Sequence, residues 1–368
     1  MKRRDLLTLV SYTVSLGLFR IVSFMSPFKQ SPEGKSVLAV EAGVAGWREP
    51  APGLLDIEQS AREYLDENSV LRLEITDGDL SYLKQARKFI RENRPTHYFY
   101  DTRTGSAGKI RGLTQAFSLA LYLTWRGVIP ITLLTNFPAR KWRRQVSVVT
   151  AARGLVLILL DPKDVEGSIP HRRIFGPVLM PFSKQRLERL RQDFPKTRDQ
   201  KTNATVTFVG TVYEPRLSKL NEISKSLDDT PLVLEIIARD IKSEKIAEER
   251  YWKALRRAAF VLTTSDHTIE AGADNDIPPH MVYRYTEALV AEGCLIAPRV
   301  NGPLIPWIHF VPFESPGQLS SSLQELLQDP ARIDEISEAG GQLIKDRVNS
   351  KAWWTEVDDA LGPDKLKK

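Results

Sequence analysis

Tyr251-Trp-Lys-Ala-Leu-Arg-Arg-Ala-Ala-Phe260-Val-Leu-Thr263, then a polar loop, then His280-Met-Val-Tyr-Arg284-Tyr-Thr-Glu287-Ala-Leu-Val-Ala-Glu-Gly293-Cys294-Leu-Ile-Ala-Pro298, is the stretch that decides the fold class. It reads helix, strand, loop, helix, strand. In the second helix Met281, Tyr285, Ala288 and Leu289 recur at i, i+4, i+7 and i+8, an apolar stripe for a core to cover. His280, Arg284 and Glu287 follow i, i+4, i+7 on another face. Gly293 is expected at the helix C-terminal cap, and 294–297 then reads as a buried strand. Such units build parallel sheets, and an open parallel sheet takes its ligand beside the carboxyl ends of its strands. The polar triplet stands where that ligand is expected.

The same alternation extends in both directions. Downstream of 204, strands are expected at 205–209, 232–236, 260–263, 295–297 and 310–313, with helices at 217–226, 243–257, 281–292, 317–328 and 331–348. Upstream, strands are expected at 37–40, 71–75, 97–101, 129–134 and 155–160, with 177–180 as a last one. Helices at 56–67, 80–91, 113–126 and 139–153 separate them, and 184–193 forms one more. The polar, proline-containing run 194–204 is the expected linker. The fold class is therefore α/β, two Rossmann-like doubly wound domains at 36–193 and 205–348, followed by a C-terminal helix and tail at 349–368. An apolar helix is expected within 1–30.

At 368 residues and 42% apolar composition the chain has enough to fill two cores, which excludes global disorder. The net charge is +6, and its positive members cluster at 2–4, 140–144, 171–173 and 184–191. Such clusters suit an anionic surface or an acidic ligand, although 184–191 also reads as an ordinary solvated helix face. No zinc-finger or basic-zipper spacing supports nucleic acid as a partner. Cys294 is the only cysteine, so no intrachain disulfide forms, in keeping with a reducing compartment. Residues 6–25 approach the length of a membrane span, but Arg20 and several hydroxyl residues interrupt them. The expectation is a cytoplasmic protein, peripheral at a membrane, with a single-pass anchor at 6–25 as the alternative.

Two loops carry chemistry. Asp101-Thr-Arg103-Thr-Gly105-Ser-Ala-Gly-Lys109 links a strand to a helix, and its glycines, amides and cations suit an anion or an acceptor. It departs from a P-loop, because Arg103 replaces the first glycine and Ile110 the magnesium-binding hydroxyl. Asp101 is its one carboxylate able to act as a base. The second, Phe208-Val-Gly210-Thr-Val-Tyr-Glu-Pro-Arg216-Leu-Ser-Lys219, ends a strand on a glycine and opens a helix with two cations, which suit a diphosphate. No metal site is expected. The five histidines have no ligand spacing, and the acidic triplets at 77–79 and 274–276 lie in turn-like sequence.

Residues 205–348 resemble the donor domain of GT-B glycosyltransferases, of the exostosin-like and bacterial glycosyltransferase family 1 types. The likeness is carried by Phe208 to Gly210 with Arg216, by Tyr251-Trp-Lys-Ala-Leu with Phe260-Val-Leu, by 283–296, and by His309-Phe-Val-Pro-Phe-Glu. It implies transfer of a sugar from a nucleotide-sugar donor to a glycan or lipid-linked acceptor, in a cleft between the two domains, with neither metal nor cofactor. Glu287 would hold the ribose, Arg216 and Lys219 the diphosphate, with Arg284 assisting and Gly210 allowing close approach. The acceptor would lie near 101–109. Pro279 stands eight before Glu287, where retaining members carry glutamate, so retention is not implied. Two other readings are phosphoryl or sulfuryl transfer on loop 102–109 and a non-catalytic glycan- or partner-binding module.

Overall fold

The structure is a computed structural model that describes residues 3–28, 36–41, 52–74, 79–101, 112–134, 142–165, 173–196, 204–212, 214, 216–239, 248–264 and 281–367. The chain divides into two compact units. One comprises Met1–Ser183 with Ser350–Lys368, the other Lys184–Asn349.

The first unit is built on β1 (Leu38–Glu41), β2 (Val70–Leu73), β3 (His97–Asp101), β4 (Ile129–Leu134), β5 (Leu155–Ile158) and β6 (Ile174–Phe175). They form one parallel sheet in the order β2-β1-β3-β4-β5-β6. Its central strands are apolar runs buried along their length, as a sheet covered on both faces requires. Helices α1 (Arg3–Met25), α2 (Pro52–Tyr64), α3 (Asp79–Asn93), α4 (Gly112–Trp125), α5 (Trp142–Ala151) and α12 (Ser350–Leu361) surround it. The expected strand at 177–180 is a correction. The sixth strand is Ile174–Phe175, and Pro177, which lacks an N–H, cannot continue its ladder. Residues 178–180 are buried, and the Val178 N–H donates to the Ile158 carbonyl of β5 at 2.9 Å without 178–180 forming a strand.

The last helix belongs to this first unit. Trp354 donates its indole N–H to Ser60 Oγ at 3.0 Å, Trp353 donates to the Leu179 carbonyl at 2.7 Å, and Tyr64 donates to Asp358 Oδ2 at 2.8 Å. Both tryptophans are buried, so α12 closes the α2 side of the sheet.

Helix α1 lies on α4 and α5. Phe19 stacks obliquely on Phe117 at 5.5 Å between centroids, and Ser26 Oγ donates to the Trp125 carbonyl at 2.5 Å, so α1 and α4 run parallel. Ser15, Phe19 and Ser26 are buried on this inner face. No helix among the described residues is long and apolar enough to cross a membrane, which corrects the alternative of a span at 6–25. Serine, threonine, glycine and Arg20 dilute the apolar run.

The second unit repeats the plan. Strands β7 (Thr205–Thr211), β8 (Val233–Arg239), β9 (Phe260–Leu262), β10 (Cys294–Pro298) and β11 (Val311–Phe313) are parallel in the order β11-β10-β9-β7-β8. Read in chain order, both sheets follow the same doubly wound arrangement, second strand, first, third, fourth, fifth. In each, the chain reverses direction between the first and third strands, β1/β3 and β7/β9. The helices are α6 (Lys184–Asp193), α7 (Arg216–Ser226), α8 (Glu248–Arg257), α9 (Tyr283–Val290), α10 (Pro316–Gln328) and α11 (Pro330–Arg347). Val206, Phe208, Leu220, Phe260, Ile296 and Leu323 lie in one core cluster between sheet and helices.

Candidate functional site

In a doubly wound sheet the crevice opens where the strand order reverses, at the carboxyl ends of the strands. In the second unit that point lies between β7 and β9, and the residues expected from the sequence converge on it. Gly210 is the penultimate residue of β7. A Cβ added there would sit 3.3 Å from both Nη1 and Nη2 of Arg284 and 3.4 Å from the Phe208 ring. The absence of a side chain at 210 therefore lets a guanidinium press against the strand backbone.

Arg284 is the second residue of α9, and helix geometry brings it to Glu287 one turn on. Its Nε donates to Glu287 Oε2 at 3.2 Å. The same oxygen accepts from the Tyr251 hydroxyl at 2.5 Å, and the Arg284 Cζ lies 5.2 Å from the centre of the Tyr251 ring. Burial alone would lower the Arg284 pKa, but the Tyr251 oxygen and the Glu287 carboxylate outweigh it and the net shift is upward. Burial drives the Tyr251 hydroxyl well above its usual range, with Arg284 opposing and Glu287 adding to the rise. Tyr251 is thus a proton donor locked onto Glu287, and Arg284 a permanent cation.

Among the described residues, Nη1 of Arg284 and Oγ1 of Thr264, just beyond β9, are buried polar atoms at this point that make no hydrogen bond. Both hydrogen bonds given above for the Glu287 carboxylate fall on Oε2. Buried groups left without a hydrogen bond cost free energy unless a ligand satisfies them. A cation, a hydroxyl and a carboxylate oxygen are the set that a phosphate ester of a polyhydroxylated ligand would complete.

Arg216 opens α7, and its Cζ lies 5.9 Å from the centre of the Phe208 ring. Two guanidinium groups therefore reach the short run Phe208–Gly210 from two helices. Lys219 lies one turn further along α7, half-buried. Of the expected triplet, Arg284 and Glu287 are brought together, whereas His280 is outside the described residues. So are Arg103, Gly105 and Lys109, Pro279 and the acidic triplet at 274–276. Asp101 ends β3, its backbone in register with Leu133, and its side chain is outside the described residues. Among the described residues no group of acidic, histidine or cysteine side chains is placed to hold a metal ion.

Three features escaped the sequence. Tyr251 was legible as part of the helix expected at 243–257 and of the donor-domain likeness, but not as the partner of Glu287, which lies 36 residues away. Arg186 of α6 is half-buried, and its charge opposes, without overcoming, the rise that burial imposes on the Tyr251 hydroxyl. Gly293 is not the left-handed cap. Ala291 caps α9, Glu292 takes the positive φ of 57°, and Gly293 is required by packing, because a Cβ there would fall 2.7 Å from Val261. The left-handed turn aims Glu292 at Arg256, 3.4 Å away, whose Nε also binds the Phe194 carbonyl at 2.8 Å.

The reversal point of the first unit carries a different cluster. Glu41 ends β1, fully buried, and its Oε1 accepts from Tyr82 and Tyr98 at 2.6 Å each. Burial first, then the Glu41 charge, pushes the Tyr98 hydroxyl well above its ordinary range.

No known family model and no curated protein matches this sequence. A solved structure that the chain is similar to is the crystal structure of UDP-N-acetylglucosamine 2-epimerase, at 9% identity and a TM-score of 0.45, covering 86% of this chain and 96% of that one. At that degree of superposition the likeness carries no argument.

Proposed function

We propose that this chain transfers a sugar from a nucleotide-sugar donor to a glycan or lipid-linked acceptor, and that the β7/β9 site of the second unit holds the donor. The observation that carries this reading is Arg284: a buried guanidinium nitrogen without a hydrogen-bond partner among the described residues, against the backbone of Gly210 and one turn from the Glu287 carboxylate. In this reading Glu287 Oε1 accepts from the ribose hydroxyls, and Thr264 and Arg284 Nη1 bind diphosphate oxygens. Arg216, with Lys219, completes the neutralisation.

The acceptor hydroxyl attacks the anomeric carbon, the bond from that carbon to the diphosphate oxygen breaks, and the diphosphate departs with the electron pair. Charge grows on that leaving oxygen in the transition state, so fixed guanidinium groups aimed at it lower the barrier without reorganising. This assigns neutralisation to arginine rather than to a metal. Asp101, at the carboxyl end of β3, is the group assigned to take the acceptor proton, with Arg103, Gly105 and Lys109 in the adjoining loop.

A melting-temperature screen of nucleoside diphosphates, with and without attached sugars, tests the donor assignment. A ligand at one hundred times its Kd adds about 2.7 kcal/mol to the native state, a shift of several degrees. Glu287→Gln keeps the side-chain shape but leaves the Arg284 charge unneutralised, so the variant is expected to melt lower than the wild type and, against its own baseline, to lose the ligand shift. A screen without any shift, or a variant that keeps it, overturns the reading. Release of free sugar or transfer to an acceptor then separates an enzyme from a binding module.

A further inference from the structure

We infer that the outer face of α1 is a docking surface for an anionic lipid interface. The sequence alone leads to a helix lying on a membrane or packed on the protein, with a span as the alternative; the structure separates its two faces. The inner face packs on α4 and α5 through Tyr12, Ser15, Leu16, Phe19 and Ser26. The outer face leaves Val14, Leu18, Ile21 and Met25 in solvent, a stripe at i, i+4, i+7 and i+11. Phe24 stands beside it at 89% exposure, and Phe28 continues it past the helix end. Large apolar side chains in such a continuous line mark an interaction surface, whereas scattered ones do not.

The charge around the stripe selects the occupant. Helix α3 packs on α4, which packs on α1, so the three lie side by side. Along α3, Lys84, Arg87, Lys88 and Arg91 are exposed, and the Arg87 guanidinium lies 5.5 Å from the centre of the Tyr122 ring of α4. Arg20 is exposed on α1 itself, and Arg126 lies 3.9 Å from the centre of the Phe28 ring. Among the described side chains of these helices and their ends, Arg20, Lys84, Arg87, Lys88, Arg91, Arg94 and Arg126 stand against one carboxylate, Glu92. An apolar stripe rimmed by cations fits acyl chains below anionic headgroups. A second copy of this chain fits poorly, because a two-fold contact sets a patch against itself and would face cation to cation.

The full chain is floated with vesicles of phosphatidylcholine alone or with phosphatidylglycerol added. Binding is expected to be at least about tenfold greater on the anionic vesicles and to weaken as salt rises. The double substitution Ile21→Asp and Phe24→Asp, at solvent-facing positions, is expected to lower it about tenfold or more with an unchanged melting temperature. Lys88→Glu with Arg91→Glu gives a second reading that leaves α1 intact, and is expected to weaken anionic binding while leaving the neutral vesicles unaffected. Equal binding to both vesicle types, or retention by both variants, overturns the inference. So does wild-type self-association by light scattering that Ile21→Asp with Phe24→Asp abolishes. The assay contains no nucleotide, so its failure is independent of the donor reading.

Discussion

Arg284 shows how one side chain is fixed by three unrelated causes. The helix period brings it to Glu287, the missing Cβ at 210 lets it reach the strand, and Tyr251 covers its guanidinium face. A lysine at 284 would keep the charge but not the planar fork that bonds Glu287 on one edge while leaving Nη1 for a ligand. Charge-assisted hydrogen bonds of this kind contribute about 1.5–3 kcal/mol. Arg284→Lys is therefore expected to weaken binding of the best nucleoside diphosphate by roughly ten- to a hundredfold by titration calorimetry. An unchanged Kd would remove Arg284 from the site. The pairing with Glu287 was legible because spacings of three and four residues on a helix need no knowledge of the rest of the chain. Tyr251 and Arg186 were not, because nothing local in either segment signals a partner in another helix. The isolated acidic residue closing the apolar run 37–41 gave no sign of Tyr82 and Tyr98 for the same reason.

Among elements, the α2–α12 pair carries a contact that titrates. Burial first, then the hydrogen bond and charge of Asp358, raises the Tyr64 pKa from 10.0 to about 12. The sign follows from which form the folded state prefers. A folded-state pKa above the unfolded one contributes stability that is complete below pH 10 and is lost as pH rises through about 12. Tyr64→Phe removes this contribution, about 1.5–3 kcal/mol for a hydrogen bond to a charged acceptor. Asp358 keeps the Leu366 and Lys367 amides as donors, so it is not orphaned. Urea melts at pH 8 and near pH 12 are expected to show wild type and variant well separated at the first and close at the second. A pH-independent difference would place the effect in packing instead. Element identity was the most legible level: helix α10 spans Pro316–Gln328 where 317–328 was expected, because an amphipathic period and an N-terminal Ser315 cap are both local signals. Strand order was not, since the pairing of β7 with β9, Val206 opposite Phe260, is a property of the sheet.

For the whole molecule, the assignment of α12 to the first unit has a direct test. A chain ending at residue 349 loses Trp353 and Trp354 from beside α2 and Leu179, and removing a buried tryptophan side chain alone costs about 3–5 kcal/mol. Amide exchange is expected to rise in β1 and β3 of that truncated chain while β7 and β9 keep their protection. Equal loss in both units, or in neither, would refute the division.

That division also fixes an order of events during synthesis. Residues 184–349 are contiguous, so everything their sheet and core require has been made before Ser350 is added. The first unit, although begun earlier, must wait with the α2 face of its sheet uncovered until 350–361 emerge. Domains along a chain ordinarily fold in the order they are made. Here the earlier one cannot be completed until the whole of the later one has been made, so its open face stays accessible to chaperones and proteases throughout the synthesis of residues 184–349.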